Sequence, residues 1–320
     1  MNTLAGVDEA GLGPILGPLV VAGVVMQGPP GADPWRELKA HVGRKKHEKG
    51  RVRVADSKKV NQGPHGTQRL EETALVFWTA WKGELPDTLG DWLEQLDLDV
   101  APLRRCPWYE DLSLSLPRAA DRDWIELQAE LVHRALAKAG LSLLDIAVRP
   151  VDVEEWNGLI ADTDNKSRAH FHAYSEVIAR LVGKVPAAAE GEVAHLVADR
   201  CGGRMHYGGD LRRLFPGTRV ETLHEEPAVS QYRLRGERGA IDVTFSEKGE
   251  ERAFPTALAS CFAKYTRELM VEVINNWFGA RVPGLAPTAG YYVDGHRWLD
   301  EVMPHLPTLR VPTQRLVRVR

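Results

Sequence analysis

The chain has 320 residues, of which 43% are hydrophobic and 27% charged, with a formal net charge of −3. This is enough apolar material for one large core or two modest ones, and it excludes a disordered, fibrous or collagen-like polypeptide. The balance of charge neither supports nor excludes a nucleic-acid substrate: a protein that binds phosphates with cations alone is usually more basic, whereas one that clusters carboxylates around metal ions can be near neutral.

Three cysteines, Cys106, Cys201 and Cys261, are odd in number and far apart, and no CxxC pair is present. That pattern supplies neither a zinc knuckle nor a disulfide framework, so the thiols read as buried or idle in a reducing compartment. The apolar run from Leu16 to Met26 is short, is broken by Gly17, Pro18 and Gly23, and follows no basic segment. It fits neither a signal peptide nor a membrane span, and a cytoplasmic location is expected.

In chain order, Thr3 to Asp8 reads as a short strand running into a turn punctuated by Gly11, Gly13, Pro14 and Gly17. Leu19 to Val25 is almost continuously apolar, as a strand buried on both faces would be. Residues 42–53 form a basic, polar loop. Residues 70–82 are ambiguous, helical at the start but strand-like from Val76 to Trp78. Residues 83–120 lack a sustained period and read as an irregular insertion. Asp123 to Ala139 is an amphipathic helix, Leu144 to Pro150 a strand, and Asn165 to Val182 a helix with Ala169, Ala173, Val177 and Leu181 at steps of four. Val193 to Ala198 is a strand that ends at Asp199. Gly202 to Gly209 is loop, and residues 219–245 give two or three antiparallel strands. Thr256 to Phe278 is the longest helix, with Pro255 suited to its first turn. Residues 279–294 read as loop. This mixture of strands and helices indicates an α/β fold with an open sheet.

Four places carry chemistry. Gly6-Val7-Asp8-Glu9-Ala10-Gly11-Leu12-Gly13-Pro14 sets two adjacent acids at the end of an apolar strand. Successive strand residues face opposite sides, so both acids serve one site only if the strand ends or twists there, which Gly11 and Gly13 permit. Asp56-Ser57-Lys58-Lys59 offers a lysine pair to a phosphate. Asp199 follows a buried strand, where open α/β sheets place ligands. Glu247-Lys248-Gly249-Glu250-Glu251 lies between a strand and the long helix. Taken singly, each is also explained without function: a solvated acidic pair, a surface loop, a loop-opening Asp, an acidic helix start.

Taken together and in order, these segments resemble ribonuclease HII. GVDEAGLGPILGPLVVAGVV is similar to that family's opening strand-turn-strand, and ADSKKV to its DSKKL segment. Asn165, Ala169 and Ala173 fit an Asn-x3-Ala-x3-Ala helix, ALASCFAKYTRE resembles an AASIxAKVxRD helix, and TAGYYVDGHRW a GYxTxxH segment. The resemblance implies a ribonuclease H-like α/β fold, with a central mixed sheet of about five strands flanked by helices. It implies a catalytic domain at 1–278, with insertions near 83–120 and 202–240, and a C-terminal helical segment at 279–320 packed on it. It further implies an endonuclease that hydrolyses the RNA strand of RNA–DNA hybrids with two divalent ions, leaving 3′-hydroxyl and 5′-phosphate ends.

The family's four carboxylates fall on Asp8, Glu9, Asp199 and Glu250, which would be both catalytic residues and ligands of Mg²⁺ or Mn²⁺. Glu250 stands where the family has Asp, so Asp242, Glu247 and Glu251 are rivals for the fourth place. Asp294, although followed by Gly, comes after the long helix and belongs to the C-terminal segment. Substrate contacts implied by the resemblance are Gly11, Leu12, Gly13, Lys58, Asn165, Lys264 and Tyr291, with Arg44, Lys45, Lys46 and Lys49 placed to grip a duplex backbone. Leu12 departs from the family, whose glycine turn carries Arg or Lys there, and leaves open whether single embedded ribonucleotides are cut. A monomer is expected. The alternatives are a related nuclease acting on DNA or structured substrates, and a non-catalytic nucleic-acid-binding module.

Overall fold

In the computed structural model, residues 1–187 and 192–319 are described. Strands β1 (Asn2–Ala10) and β2 (Leu19–Gly28) form an antiparallel pair in register from Asn2 opposite Gly28 to Ala10 opposite Val20. Then come α1 (Pro34–Glu37), a short parallel pair β3 (Val42–Gly43) and β4 (Val52–Arg53), α2 (Ser57–Val60), α3 (Gly66–Lys82), α4 (Leu89–Gln95) and α5 (Arg122–Lys138). β5 (Ser142–Val151) pairs antiparallel with β2 and is followed by α6 (Val153–Thr163) and α7 (Lys166–Lys184). β6 (Val193–Asp199) runs parallel to β1. After α8 (Gly208–Leu214), β7 (Arg219–Glu226), β8 (Val229–Gly236) and β9 (Gly239–Ser246) form a meander whose last strand lies parallel to β6. α9 (Gly249–Arg252), α10 (Phe254–Gly279), α11 (Tyr292–Val302), α12 (Leu306–Leu309) and α13 (Thr313–Leu316) complete the chain.

Among the described residues these strands make one mixed sheet in the order β5-β2-β1-β6-β9-β8-β7, beside the separate β3-β4 pair. Five strands form the expected centre. β7 and β8 lie within the stretch read as an insertion, and they widen the sheet to seven. Apolar packing covers both faces. Val20, Ala22, Val24 and Met26 of β2 enter a core with α3, α5 and α10, while Leu19, Val21 and Val25 enter a second core with α6 and α7. That alternation is why β2 is apolar from Leu19 to Met26: each neighbouring side chain meets a different layer of helices.

Residues 70–82 belong wholly to helix α3. Its strand-like signal arises because Thr73 to Trp78 are all buried, and a helix enclosed on every side loses the apolar–polar period. α6 and α8 are among the helices that the sequence reading did not place. α6 is announced only by its cap, Asp152, whose carboxylate accepts the Glu155 amide at 2.8 Å, and α8 opens on two glycines. The loop read at 279–294 ends at Tyr291, the residue before α11.

The 83–120 stretch is more ordered than its sequence implied. Thr88 and Asp91 form a reciprocal cap on α4. The far end is fastened by Glu71 of α3, fully buried, which accepts amides from Arg118, Ala119 and Ala120 at 2.6–2.8 Å and the Tyr265 hydroxyl at 2.8 Å. The four donors come from two segments, residues 118–120 and α10, and Glu71 ties both of them to α3.

β1 and α10 meet at a backbone contact. A Cβ added to Gly6 would stand 2.0 Å from the Thr256 nitrogen and 2.4 Å from the Pro255 carbonyl carbon. The Thr256 hydroxyl donates to the Val197 carbonyl at 2.7 Å, so the first turn of α10 rests on β1 and is bonded to β6.

Candidate active site

The ladder between β1 and β6 ends at Val7 opposite Ala198, which places the next residues, Asp8 and Asp199, side by side beyond it. β1 itself continues to Ala10 on its β2 side. The strand therefore does not end at the acidic pair; one of its two ladders does. Asp8 folds back on the backbone, its Oδ1 accepting the Glu9 amide at 2.7 Å. One ligand atom from each of Asp8, Glu9 and Asp199 falls within 4.8 Å of the others.

Each acid has a defined support. Glu9 accepts the Tyr174 hydroxyl from α7, and its other oxygen lies 3.8 Å from Nε2 of His170. Burial pulls the His170 imidazole down to about 3, so it is neutral at physiological pH, and among the described residues its Nε2 has no hydrogen-bond partner. Asp199 accepts the Gly249 amide at 3.1 Å from the turn after β9. Lys248 adopts a left-handed backbone (φ 56°), which tightens that turn against β6.

Crowding and burial raise all of these carboxyls. Asp8 is held well above the usual carboxylate range, first by burial and then by the charges of Glu9, Asp199 and Glu250. Glu9 is raised by burial, an effect that the Tyr174 hydroxyl and the nearby Lys58 charge oppose. Asp199 is pushed up to about 6 by burial and by Glu9, against the Gly249 and Arg200 amides. Carboxyls that resist ionisation side by side are relieved by a cation. Three clustered oxygen donors, with a fourth acid nearby, suit a hard divalent ion such as Mg²⁺ or Mn²⁺.

Glu250 lies outside the group of three, yet it shares its field: burial and the Asp199 charge raise it, and its own charge raises Asp8. Its rivals are engaged elsewhere. Asp242 is buried in a two-point ion pair with Arg233, at 2.7 and 2.8 Å. Glu247 pairs with Arg200 at 2.5 Å and Glu251 with Lys59 at 2.6 Å. Asp294 accepts the Thr288 hydroxyl and pairs with Arg297, holding the turn before α11.

The expected substrate contacts divide into two groups. Gly11 (φ 92°) and Gly13 lie in the loop after β1, and Leu12 turns its side chain against the core beneath α7, so a cation at this position would lose that packing. Lys58, in α2, lowers both Glu9 and Asp199 through its charge, and α2 is docked by the Ser57 amide donating to the Ser260 hydroxyl at 2.9 Å. The others are set apart. Asn165 caps α7 by accepting the Arg168 amide at 3.0 Å. Lys264 pairs with Glu268 at 2.6 Å and lies 5.9 Å from the exposed Tyr291 ring. Among the described residues, no hydrogen bond or ion pair joins Asn165, Lys264 or Tyr291 to the acids. Arg44 stacks on Trp35 at 3.9 Å and donates to the Glu251 carbonyl at 2.9 Å, which ties the basic loop to the α9 turn. Tyr174 and His170 were not legible as site residues, being two of many buried positions along an amphipathic helix.

No protein-family model and no curated protein matches the chain. Solved structures do. The chain is similar to the structure of the PCNA:RNase HII complex from Archaeoglobus fulgidus at 17% identity and a TM-score of 0.44, covering 99% of this chain and 94% of that one. It is similar to Bst-RNase HIII in complex with Mn²⁺ at 14% identity and a TM-score of 0.44, covering 99% and 66%. It is also similar to the ribonuclease H2 from Pyrococcus horikoshii OT3 at 14% identity and a TM-score of 0.38, covering 98% and 92%. The chain has the α/β architecture expected of a ribonuclease H-like fold, a mixed sheet with helices on both faces and C-terminal helices beyond it.

Proposed function

We propose that the chain is a metal-dependent endonuclease that hydrolyses the RNA strand of RNA–DNA hybrids. The observation that carries this reading is the convergence of Asp8, Glu9 and Asp199 within 4.8 Å, from two strands distant in sequence. The sequence resemblance supplies the substrate class. Asp8, Glu9 and Asp199 would hold divalent ions, with Glu250 at the side from which water attacks. Bound there, such ions would supply charge neutralisation, activation of water and stabilisation of the leaving oxygen.

The protein's own groups supply position. Tyr174 orients Glu9, and the Gly249 amide orients Asp199. Lys58 offers its charge to a phosphate. The backbone amides of the glycine loop would serve the 2′-hydroxyl, the group that marks RNA in a shallow minor groove. In the reaction, the water oxygen bonds to phosphorus, the P–O3′ bond breaks, and the 3′ oxygen leaves with a proton. The ends are a 3′-hydroxyl and a 5′-phosphate.

The direct test is digestion of four substrates in Mg²⁺ and in Mn²⁺: uniform hybrid, DNA with one embedded ribonucleotide, duplex DNA and duplex RNA. Cleavage of the hybrid alone or together with the single ribonucleotide supports the proposal. Cleavage of duplex DNA with the hybrid intact supports the second reading, a nuclease of different specificity on this fold, which Leu12 favours by removing a cation from the loop.

Three substitutions probe the assignments. Glu250→Gln is expected to lower kcat by at least about tenfold, the loss of one water-positioning contact, while Asp242→Asn leaves kcat within about twofold; a reversed order would move the fourth acid to Asp242. A Cβ on Gly13 meets nothing within 4 Å. Gly13→Ala is therefore expected to leave thermal stability unchanged and to raise KM for the hybrid several-fold, because only an approaching substrate would meet the added methyl. An unchanged KM would remove this loop from the interface.

A further inference from the structure

The loop after β1 is shaped by two residues with left-handed backbone, Gly11 (φ 92°) and Gly17 (φ 75°). Three of its carbonyls are received by two buried guanidinium groups. Arg318 donates to the Gly11 carbonyl at 2.6 Å and, from two nitrogens, to the Gly17 carbonyl at 2.7 and 2.9 Å. Arg267, on α10, donates to the Leu16 carbonyl at 3.3 Å and to the Ala289 carbonyl at 3.0 Å. Arg267 also has the Glu268 carboxylate at 3.4 Å. Among the described residues, Arg318 has no carboxylate within ion-pair distance.

A buried cation partnered only by neutral carbonyls is costly to keep. Burial, reinforced by the charge of Arg267, pulls the Arg318 guanidinium down to about 9, which leaves it charged at neutral pH. Its seat is nonetheless built from both sides. Its ring neighbour is Trp156 at 5.6 Å, and Asn157 accepts the Val319 amide at 2.8 Å and donates to the Val317 carbonyl at 2.9 Å. On the other side, the Arg318 amide donates to the Ile15 carbonyl at 2.9 Å, and Leu16 bridges Val317. Residues 317–319 thus form a strap between α6 and the glycine loop, and the loop joins the strand that carries Asp8 and Glu9.

We propose that Arg318 is a positioning residue for nucleic-acid binding: its guanidinium locks the carbonyls of the Gly11–Gly17 loop inward, so that the loop presents its outer backbone, over a fixed positive charge, to the sugar-phosphate chain of the substrate. The charge is one that Leu12 does not provide. The inference takes its substrate from the nuclease reading above; the lock itself does not depend on it.

The test uses the full chain and three variants, Arg318→Ala, Arg318→Met and Arg318→Lys. Amide hydrogen exchange across residues 10–19, measured without substrate or metal, is expected to quicken at least tenfold in Arg318→Ala. Binding of a fluorescent RNA–DNA hybrid in Ca²⁺ is expected to weaken about tenfold, with Mn²⁺ affinity by calorimetry unchanged. Millimolar guanidinium is expected to restore part of the hybrid binding of Arg318→Ala but not of Arg318→Met, whose side chain fills the space. Arg318→Lys keeps the charge without the fork and is expected to fall between; it also replaces Arg318→Ala should that variant fail to fold.

Unchanged exchange would overturn the lock. Faster exchange with unchanged hybrid binding would overturn its link to substrate, as would a loss that guanidinium does not relieve. A parent protein that binds no hybrid would overturn the nucleic-acid half of the proposal together with the nuclease reading, and the exchange result, read without substrate, would tell that failure from a failure of the lock.

Discussion

Asp8→Asn is expected to abolish Mg²⁺-dependent cleavage of an RNA–DNA hybrid and, in the absence of metal, to make the protein more stable. The first effect follows from position. Asp8 is the buried centre of the acidic group, flanked by Glu9 and Asp199 and within the field of Glu250. Losing it removes several kcal/mol of charge stabilisation at the reacting phosphate, and each 1.4 kcal/mol is about tenfold in rate, so a fall of at least about 10²–10³ is expected. The second effect follows from the same crowding. Asp8, Glu9 and Asp199 are all raised in the folded state. Such acids take up protons more readily in the folded than in the unfolded chain. Their contribution to stability is fully present below the ordinary carboxylate range and is lost as pH rises through the folded values, for Asp199 through about 6.

Thermal melting in EDTA should therefore show Asp8→Asn above the parent at pH 7.5. The advantage should vanish near pH 4. With Mg²⁺ present the order should narrow or reverse, since a bound ion stabilises only the protein that can hold it. Full activity in Asp8→Asn would defeat the catalytic assignment. A lower melting temperature in EDTA would mean that these acids are not in mutual repulsion.

Gly6→Ala is expected to cost at least about 3 kcal/mol, near the upper end for an overpacked site, and to lower the melting temperature by about 4 °C or more. The added Cβ would stand 2.0 Å from the Thr256 nitrogen and 2.5 Å from its Cα, and backbone atoms cannot rotate aside. To make room, α10 must lift from β1, which also strains the bond from Thr256 to the Val197 carbonyl. Gly6 lies two residues before Asp8, and Val197 two before Asp199, so the same displacement spreads the acids. Gly23→Ala is the control. There the obstruction at 2.7 Å is the side chains of Val177 and Leu181, which can turn, and the loss should be smaller. Equal melting temperatures for Gly6→Ala and the parent would show that α10 does not rest on β1.

Much of this arrangement was legible in the sequence. The unbroken apolar run of β2 required a strand covered on both faces, and Asp199 stood at the end of a strand, where neighbouring parallel strands bring their loops together. What the sequence left undecided was convergence. Asp8 and Asp199 come together because the β1–β6 ladder stops at Val7 and Ala198, and a register is a property of two strands, not of either alone. The fourth acid rested on the resemblance, which favoured Glu250 over Asp242, Glu247 and Glu251; the ion pairs that engage these three rivals depend on neighbours the sequence does not reveal. Tyr174 and His170 were hidden because buried aromatic residues on a helix ordinarily pack, and their bearing on Glu9 comes from α7 crossing the end of β1. Arg318 carried no signal of a site in the sequence, since its burial depends on α6.

The widened sheet has a consequence for how copies of this chain behave at high concentration. β7 is its outermost strand on that side, and it carries Arg219, Glu221, His224, Glu225 and Glu226 along eight residues. A free strand edge is a template for lateral stacking of further chains, and closely spaced ionic side chains are the usual defence. Adding a second molecule there would strip water from these charged side chains. The margin of this sheet is in that sense a built-in guard against fibril growth, acquired together with the strands that lengthen it.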